Sequence, residues 1–489
     1  MGTNARYDDT RPKMETNNMS DSLIPLLGVV ALVVLAGLSC ARFMHKTIVL
    51  CWIPALLAIV FSGSAVASGF QLQNQNGSGN GIAYAGAAAA AEDASTVFFN
   101  PAGMTYLPRG HNISLSGTIL QRSIKFDDKG SSNTPGHPLG AAGLLYLPTG
   151  NGGDGGDTAL LPSAYWVWSV DDRISLGLGF GPTYGSLTEY NNNFVGRNAG
   201  FFFEMQQFNI NPSLAWKINE AVSLGVGINF ARNMSHFKQG VPIVFPAAGY
   251  TRGNTLDVKG DGWAVGYNLG AMFQLTPTTR LGLAYRSQLD FELDGKAKWA
   301  STSPGIPGML PPLVNQKIKA DLKTPANLSI ALSQSVGERW EVLGDVTWTD
   351  WSVLDTIHLE NKESGAPLNK LEYRFKDTWR VGLGANYRYS DTLKLRFGVA
   401  RDQTPVRSAK DRTMTLPDAN RTWLSCGAKF ELSKATSVDV GYTHIFFDKV
   451  KTNRAVNVGY PGTESTVQTI RGEFDTSVNI LSAQLNHNF

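Results

Sequence analysis

From residue 112 to the last residue, apolar and polar side chains alternate with a period of two, over segments longer than the strands of soluble proteins usually are. In one segment Val222, Leu224, Val226, Ile228 and Phe230 alternate with Ser223, Gly225, Gly227, Asn229 and Ala231. In another, Leu281, Leu283 and Tyr285, then Leu289, Phe291 and Leu293, alternate with Gly282, Ala284, Arg286, Gln288, Asp290 and Glu292. Successive side chains of a strand point to opposite faces, so each segment offers one face to hydrocarbon and the other to a polar interior. This is the pattern of an outer-membrane barrel, with a soluble sandwich as its rival.

The connections between these segments alternate in length. Six are tight: 171–172, 219–220, 276–278, 337–338, 390–391 and 433–434. Between them lie seven long connections rich in Gly, Pro and Asn, near 127–160, 188–201, 236–261, 297–318, 353–371, 402–419 and 448–472. Short periplasmic turns and long outer loops are the habit of a barrel in the outer membrane, and six plus seven connections join 14 strands. The expected fold is all-β, a 14-stranded antiparallel transmembrane barrel with both ends on the periplasmic side. Closure of the last strand on the first leaves no open backbone in lipid, where each unpaired group would cost several kcal/mol. The last strand alternates through Leu481, Ala483, Leu485 and His487 to a terminal Phe489, the kind of ending that the barrel assembly machinery reads.

Composition agrees with this pattern. Glycine is 51 of 489 residues, aromatics are 10% and charged residues only 17%. The mean hydropathy is nevertheless −0.12, because lipid-facing and lumen-facing residues cancel. A net charge of +3 and the lack of a basic, aromatic-interleaved run give no reason to expect a nucleic-acid partner.

Two apolar stretches, 23–38 and 47–61, are shorter than the roughly 20 residues of a spanning helix. Met44-His45-Lys46, the apolar run after it and Ser64-Ala65-Val66-Ala67 read as a signal peptide over 44–67, cleaved before Ser68. Residues 1–43 are then an upstream extension, either a misplaced start or an inner-membrane anchor. Cys40 and Cys51 fall in the leader, so the mature chain keeps only Cys426 and no internal disulfide. Residues 68–110 lack alternation and are rich in small residues (77–81 and 87–91). They belong in the periplasm or the lumen, and small residues suit a segment packed against the lumen wall. The barrel would occupy 111–489.

The string Ser68-Gly69-Phe70-Gln71-Leu72, the stretch 77–84, and Glu92-Asp93-Ala94 leading to Asn100-Pro101-Ala102 resemble the hatch of the long-chain fatty-acid outer-membrane transporters (FadL-like), a family that includes aromatic-hydrocarbon channels. Further matches follow in order. They are Tyr184-Gly185 to Thr188-Glu189, Thr349-Asp350-Trp351-Ser352, Asp402 to Pro405, Leu416-Pro417-Asp418 and Arg421 to Ser425. The resemblance implies an outer apolar groove, a tighter pocket within, and a sideways exit into the membrane at a kink in the third strand while the hatch shifts. An acyl chain gains about 0.8 kcal/mol per buried CH₂, so a route into lipid suits it better than a wet pore.

Phe70, Asn100, Pro101 and Ala102 are the expected hatch motif. Gly181-Pro182 interrupts the third strand and, with Tyr184 and Gly185, marks the expected lateral opening, since proline removes a ladder donor. Ile306, Met309, Leu310 and Leu313 are an apolar concentration unusual in an outer loop and are assigned to the groove, with packing onto a neighbouring loop as the alternative. Phe201, Phe202 and Phe203 either line that groove or form an interfacial belt. Parity places Arg286, Arg380, Arg388, Lys394 and Arg396 inward beside Asp290, Glu292, Asp345 and Asp439. Arg286, Arg380 and Arg396 are the candidates for a ligand carboxylate.

No cofactor, metal site or catalytic constellation is expected. The histidines from His111 to His487 show no metal spacing and no nucleophile elbow accompanies them, so an enzyme is not expected. The expected partners are a hydrophobic small molecule, outer-membrane lipid and the assembly machinery, with the barrel a monomer. A structural or adhesin barrel and a diffusion porin are the rivals outside the family, and aromatic-hydrocarbon uptake the rival within it.

Overall fold

The computed structural model describes residues 69–459 and 464–489, so the expected signal peptide and upstream extension lie outside the described residues. Fourteen strands hydrogen-bond in sequence order into one antiparallel sheet. They are β1 (Gly110–Asp128), β2 (Thr158–Ser169), β3 (Ile174–Glu189), β4 (Phe202–Lys217), β5 (Val222–Gly240) and β6 (Thr255–Thr276). Then follow β7 (Thr279–Arg286 and Leu289–Trp299), β8 (Gln316–Thr324 and Asn327–Val336), β9 (Trp340–Thr349, extended by Thr356–Asn361) and β10 (Pro367–Glu372 and Thr378–Arg388). The last four are β11 (Leu393–Asp402), β12 (Arg421–Glu431), β13 (Thr436–Phe447, extended by Val450–Val458) and β14 (Ser465–Asn488).

The ladder from Asn112↔Asn488 to Asp128↔Gly472 closes β1 on β14. The outward faces of β3 to β6 are apolar and exposed, for example Leu176, Leu178, Leu214, Leu224, Val226 and Leu269. In water this would be a very large apolar patch; in a bilayer it is the lipid-facing band.

One reading from alternation is overturned. Leu289, Phe291 and Leu293 face inward and are buried, whereas Asp290 and Glu292 point outward and are exposed. The cause is a single extra residue on β7. Asn268 opposes Arg286, but further out Asp261 opposes Asp294, so eight residue steps on β7 match seven on β6. A one-residue offset exchanges the two faces. The Ser287 hydroxyl fills the gap by accepting from the Tyr267 N–H at 3.0 Å. β8 switches with β7: Ile318, Ala320 and Leu322 are buried inside, while Leu328, Ile330 and Leu332 face out. The lumen therefore has a polar lower half and an apolar upper half.

Candidate functional site

Residues 69–109 fill the lumen as a chain of one-turn helices, among them Gly77–Asn80, Ala87–Ala90 and Thr96–Phe99. Small residues let this hatch lie against the wall. The Asn100 amide donates to the Ala88 carbonyl at 2.7 Å and to the Ala271 carbonyl of β6 at 3.1 Å, while its side-chain oxygen accepts from Ala102 N–H. This holds the Pro101-Ala102 turn in a dent between Gly225 and Gly270, where any Cβ would overlap the turn. On the opposite wall a Cβ at Gly398 would overlap the backbone of Ile82.

Buried charge fastens the hatch beside that second contact. Glu92 meets Arg396 at 2.8 Å and Lys394 at 2.5 Å, and Arg396 also meets Asp439 at 2.6 Å. Arg396 is fully buried. Removing one member of such a cluster strands its partner's charge and typically costs about 3–5 kcal/mol. Nearer the middle of the lumen, Arg380 pairs with Asp345 at 2.9 Å and also donates to the Ala83 carbonyl of the hatch.

On the far side, β3 carries a bulge. Pro182 opposes Phe208 and Tyr184 opposes Gln207, leaving Thr183 as the extra residue. The ladder between β2 and β3 ends at Ala164↔Phe180, although β2 continues to pair with β1 as far as Thr158. Residues 158–163 thus lack a ladder partner on the β3 side. The start of the hatch pairs instead with β3: Leu72 N–H donates to the Thr183 carbonyl at 2.9 Å and Gly185 N–H to the Phe70 carbonyl at 3.0 Å. Gln75 accepts from the Tyr165 hydroxyl at 2.6 Å and donates to the Pro182 carbonyl at 2.5 Å, bridging β2 and the bulge.

Phe70 lies in an aromatic box at this point. Its ring is 5.0 Å from Trp351 and 5.9 Å from Tyr184, both edge-on, and Trp351 stands 5.8 Å from Phe375. Above the box, Leu289, Phe291, Leu322, Val406 and Leu416 complete an apolar core in the upper lumen. A second apolar cluster lies among the outer loops. It contains Leu310 and Leu313, with Ile306 packed against it, and Met309 remains exposed. Phe201 and Phe202 join this cluster and Phe203 the lumenal one, and all three are buried. The loop after β11 spans both clusters through Met414 and Leu416. In that loop burial pushes the Asp418 carboxyl above the usual carboxylate range, with Arg421 pulling it back, and Thr404 donates to it at 2.9 Å.

A cavity of about 50 Å³ remains between hatch and wall, lined in part by Gln71, Tyr84, Phe98, Arg286, Asp345 and Arg380. Arg286 donates to the Phe98 carbonyl at 2.7 Å and to the Asn229 amide oxygen, with its guanidinium 4.4 Å from the Phe98 ring. Among the described residues no carboxylate lies within 4.0 Å of it. Arg388 sits exposed at the periplasmic rim.

The family model for outer membrane protein transport proteins (OMPP1/FadL/TodX) matches residues 58–489. The chain belongs to this family. A long-chain fatty acid transport protein of Escherichia coli is 29% identical over 427 residues, covering 81% of this chain and 91% of the relative. Its counterpart in Salmonella typhi is 28% identical over 419 residues, covering 82% and 92%. Among solved structures, a Pseudomonas aeruginosa FadL homologue superposes with a TM-score of 0.75 at 23% identity, covering 86% of this chain and 100% of that one. The Pseudomonas putida toluene transporter TodX superposes at 0.61 and 16% identity, covering 86% and 99%. The last two likenesses speak to the fold alone.

Within this FadL/TodX framework, the structure brings Phe70, Gly181, Pro182, Tyr184 and Gly185 together at the β3 bulge. It separates the three cations, placing Arg380 and Arg396 on hatch and wall carboxylates and leaving Arg286 at the cavity. Glu92 as a fastener and Trp351 as the floor of the aromatic box had no assigned role in the sequence. The signal for Glu92 was a lone acidic pair in an otherwise uncharged segment. For Trp351 it was a tryptophan beyond the last alternating position of its strand.

Proposed function

We propose that this outer-membrane protein is a passive uptake channel for hydrophobic small molecules, long-chain fatty acids foremost, which leave sideways into the membrane between β2 and β3. The observation that carries this reading is the end of the β2–β3 ladder at Ala164↔Phe180 beside a bulge whose backbone pairs with the start of the hatch. The ligand enters among the outer loops near Ile306 and Met309, passes the apolar upper lumen, and displaces Phe70 from its aromatic box. With Phe70 gone, the pairing of Leu72 with Thr183 is released and the edge opens toward lipid. Arg286 is the cation left to receive a carboxylate, because Arg380 and Arg396 are engaged by Asp345, Asp439 and Glu92. The ring-lined box favours a second reading, in which the cargo is an aromatic hydrocarbon that needs no cation. The barrel acts as a monomer, and its C-terminal strand ending at Phe489 addresses it to the assembly machinery.

Arg286→Ala separates the two cargoes. A hydrogen bond to a charged group contributes about 1.5–3 kcal/mol, so oleate affinity of the purified barrel is expected to fall about tenfold or more, with toluene affinity unchanged. Equal oleate affinity in both proteins would remove Arg286 from the fatty-acid reading.

A further inference from the structure

Outside the membrane-facing band, β6, β7 and β8 carry a row of three lysines, of which only Lys317 meets a carboxylate among the described residues. Lys259 opposes Lys296, and Lys296 opposes Lys317 on the next ladder. His236 of β5 opposes Lys259 on the other side. The residues next to these lysines, Val258, Ala297 and Ile318, are buried in the barrel, so the lysines point outward, and all three are exposed. One step further out, Lys298 opposes Asp257, whose carboxylate is held by His236 at 3.1 Å. Lys317 reaches only Glu363, at 3.4 Å between two exposed side chains. Among the described residues no carboxylate lies within 4.0 Å of the ammonium of Lys259, Lys296 or Lys298. The nearest carboxylates inward on the same faces are already neutralised, Asp261 by Arg232 at 3.0 Å and Asp294 by Lys362 at 2.5 Å.

Like charges directly opposite in a sheet, with Cβ atoms about 5 Å apart, repel and destabilise it. Lys259 beside Lys296 is therefore unfavourable by itself, and this pair calls for anions from outside the chain. Its height says which anions. Lys259 lies four residues outward of Trp263, which is 60% exposed and begins the lipid-facing run Val265, Tyr267, Leu269. Four residues of strand span about 13 Å, or about 10 Å along the membrane normal at the usual tilt, which sets Lys259 at the headgroup layer of the outer leaflet, while on β7 the apolar band ends sooner, since Asp290 and Glu292 below Lys296 already face outward.

We propose that Lys259, Lys296 and Lys317 form a binding site for the phosphates of the outer-leaflet glycolipid, lipopolysaccharide, with Lys298 and His236 at its margin. The phosphorylated disaccharide presents more than one phosphate to neighbouring ammonium groups, which a single-phosphate lipid does not. The site lies outside the barrel and does not depend on what passes through the lumen.

The test is native mass spectrometry and titration of the full mature barrel in detergent with deep-rough lipopolysaccharide, phosphatidylglycerol and inorganic phosphate. The triple variant Lys259→Ala, Lys296→Ala, Lys317→Ala is compared with a control triple at Lys129, Lys449 and Lys451, which are exposed lysines with carboxylate partners. Basic residues near an anionic surface each add to its attraction, so the first triple is expected to lose lipopolysaccharide affinity at least about tenfold, more at low salt, and the control little. Equal loss in both triples, no loss in either, or phosphatidylglycerol or phosphate binding as tightly as lipopolysaccharide would overturn the proposal.

Discussion

Deleting Thr183 is expected to stop oleate uptake while leaving the barrel assembled. Thr183 is the residue by which β3 exceeds β4, because Pro182 opposes Phe208 and Tyr184 opposes Gln207. Without it the ladder runs on in regular register, and Tyr184 follows Pro182 directly and still faces the lumen. A straight β3 can then pair with residues 158–163 of β2. Each backbone group left open to lipid costs several kcal/mol, so sealing the edge lowers the open population, and with it uptake, by about tenfold or more. Uptake of labelled oleate by cells, alongside heat-dependent electrophoretic mobility as a measure of assembly, reads both effects. Normal uptake by an assembled deletion protein would show that the bulge is not the exit.

The second large effect is expected at the hatch. Gly398→Val places a branched side chain where the Ile82 backbone already lies, and backbone cannot move aside as a side-chain tip can. The one-turn helices near Ile82 must lift, which disturbs the Glu92 contacts to Arg396 and Lys394 beside them. The variant should pass ions: planar-bilayer conductance should rise from near zero to that of an open pore, and cells should become sensitive to bulky antibiotics. Gly344→Ala is the control, because its Cβ would meet nothing closer than 3.6 Å on the outward face. A conductance as low as that of the parent would show that the hatch is seated by other contacts.

These two sites differ in how openly the sequence displays them. Gly181-Pro182 announces the β3 interruption, because proline cannot donate within a ladder, and the alternation of tight and long connections makes the strand count legible. The exchange of faces in β7 was hidden. Tyr285, Ser287 and Leu289 stay in phase along the chain, and the extra residue shows only against β6, where Asn268 meets Arg286 but Asp261 meets Asp294. Period-two reading tracks one strand, and a bulge is a property of two. The same limit applies to the cations. Parity places Arg286, Arg380 and Arg396 in the lumen, but which of them is already paired depends on Asp345, Asp439 and Glu92, residues far away in the chain. The outer loop shows the opposite case. Its apolar residues were conspicuous in the sequence, and Leu310 and Leu313 turn out to pack with Tyr190, Phe194 and Val241 beneath neighbouring loops, leaving Met309 as the exposed member.

The central claim is that cargo leaves between β2 and β3, and a reversible cross-link at that edge tests it most directly. A Cβ at Gly181 would lie 3.4 Å from the Ser163 Cβ, close to the separation of about 3.5–4.5 Å that a disulfide requires. In a Cys426→Ser background, Ser163→Cys with Gly181→Cys would staple the two strands. Oleate uptake by the same protein is then measured oxidised and after reduction, with the cross-link confirmed by mass spectrometry. Uptake that falls at least about tenfold on oxidation and returns on reduction is the predicted result, a loss of more than 1.4 kcal/mol in access to the open state. Unchanged uptake through a fully cross-linked barrel would contradict the lateral exit.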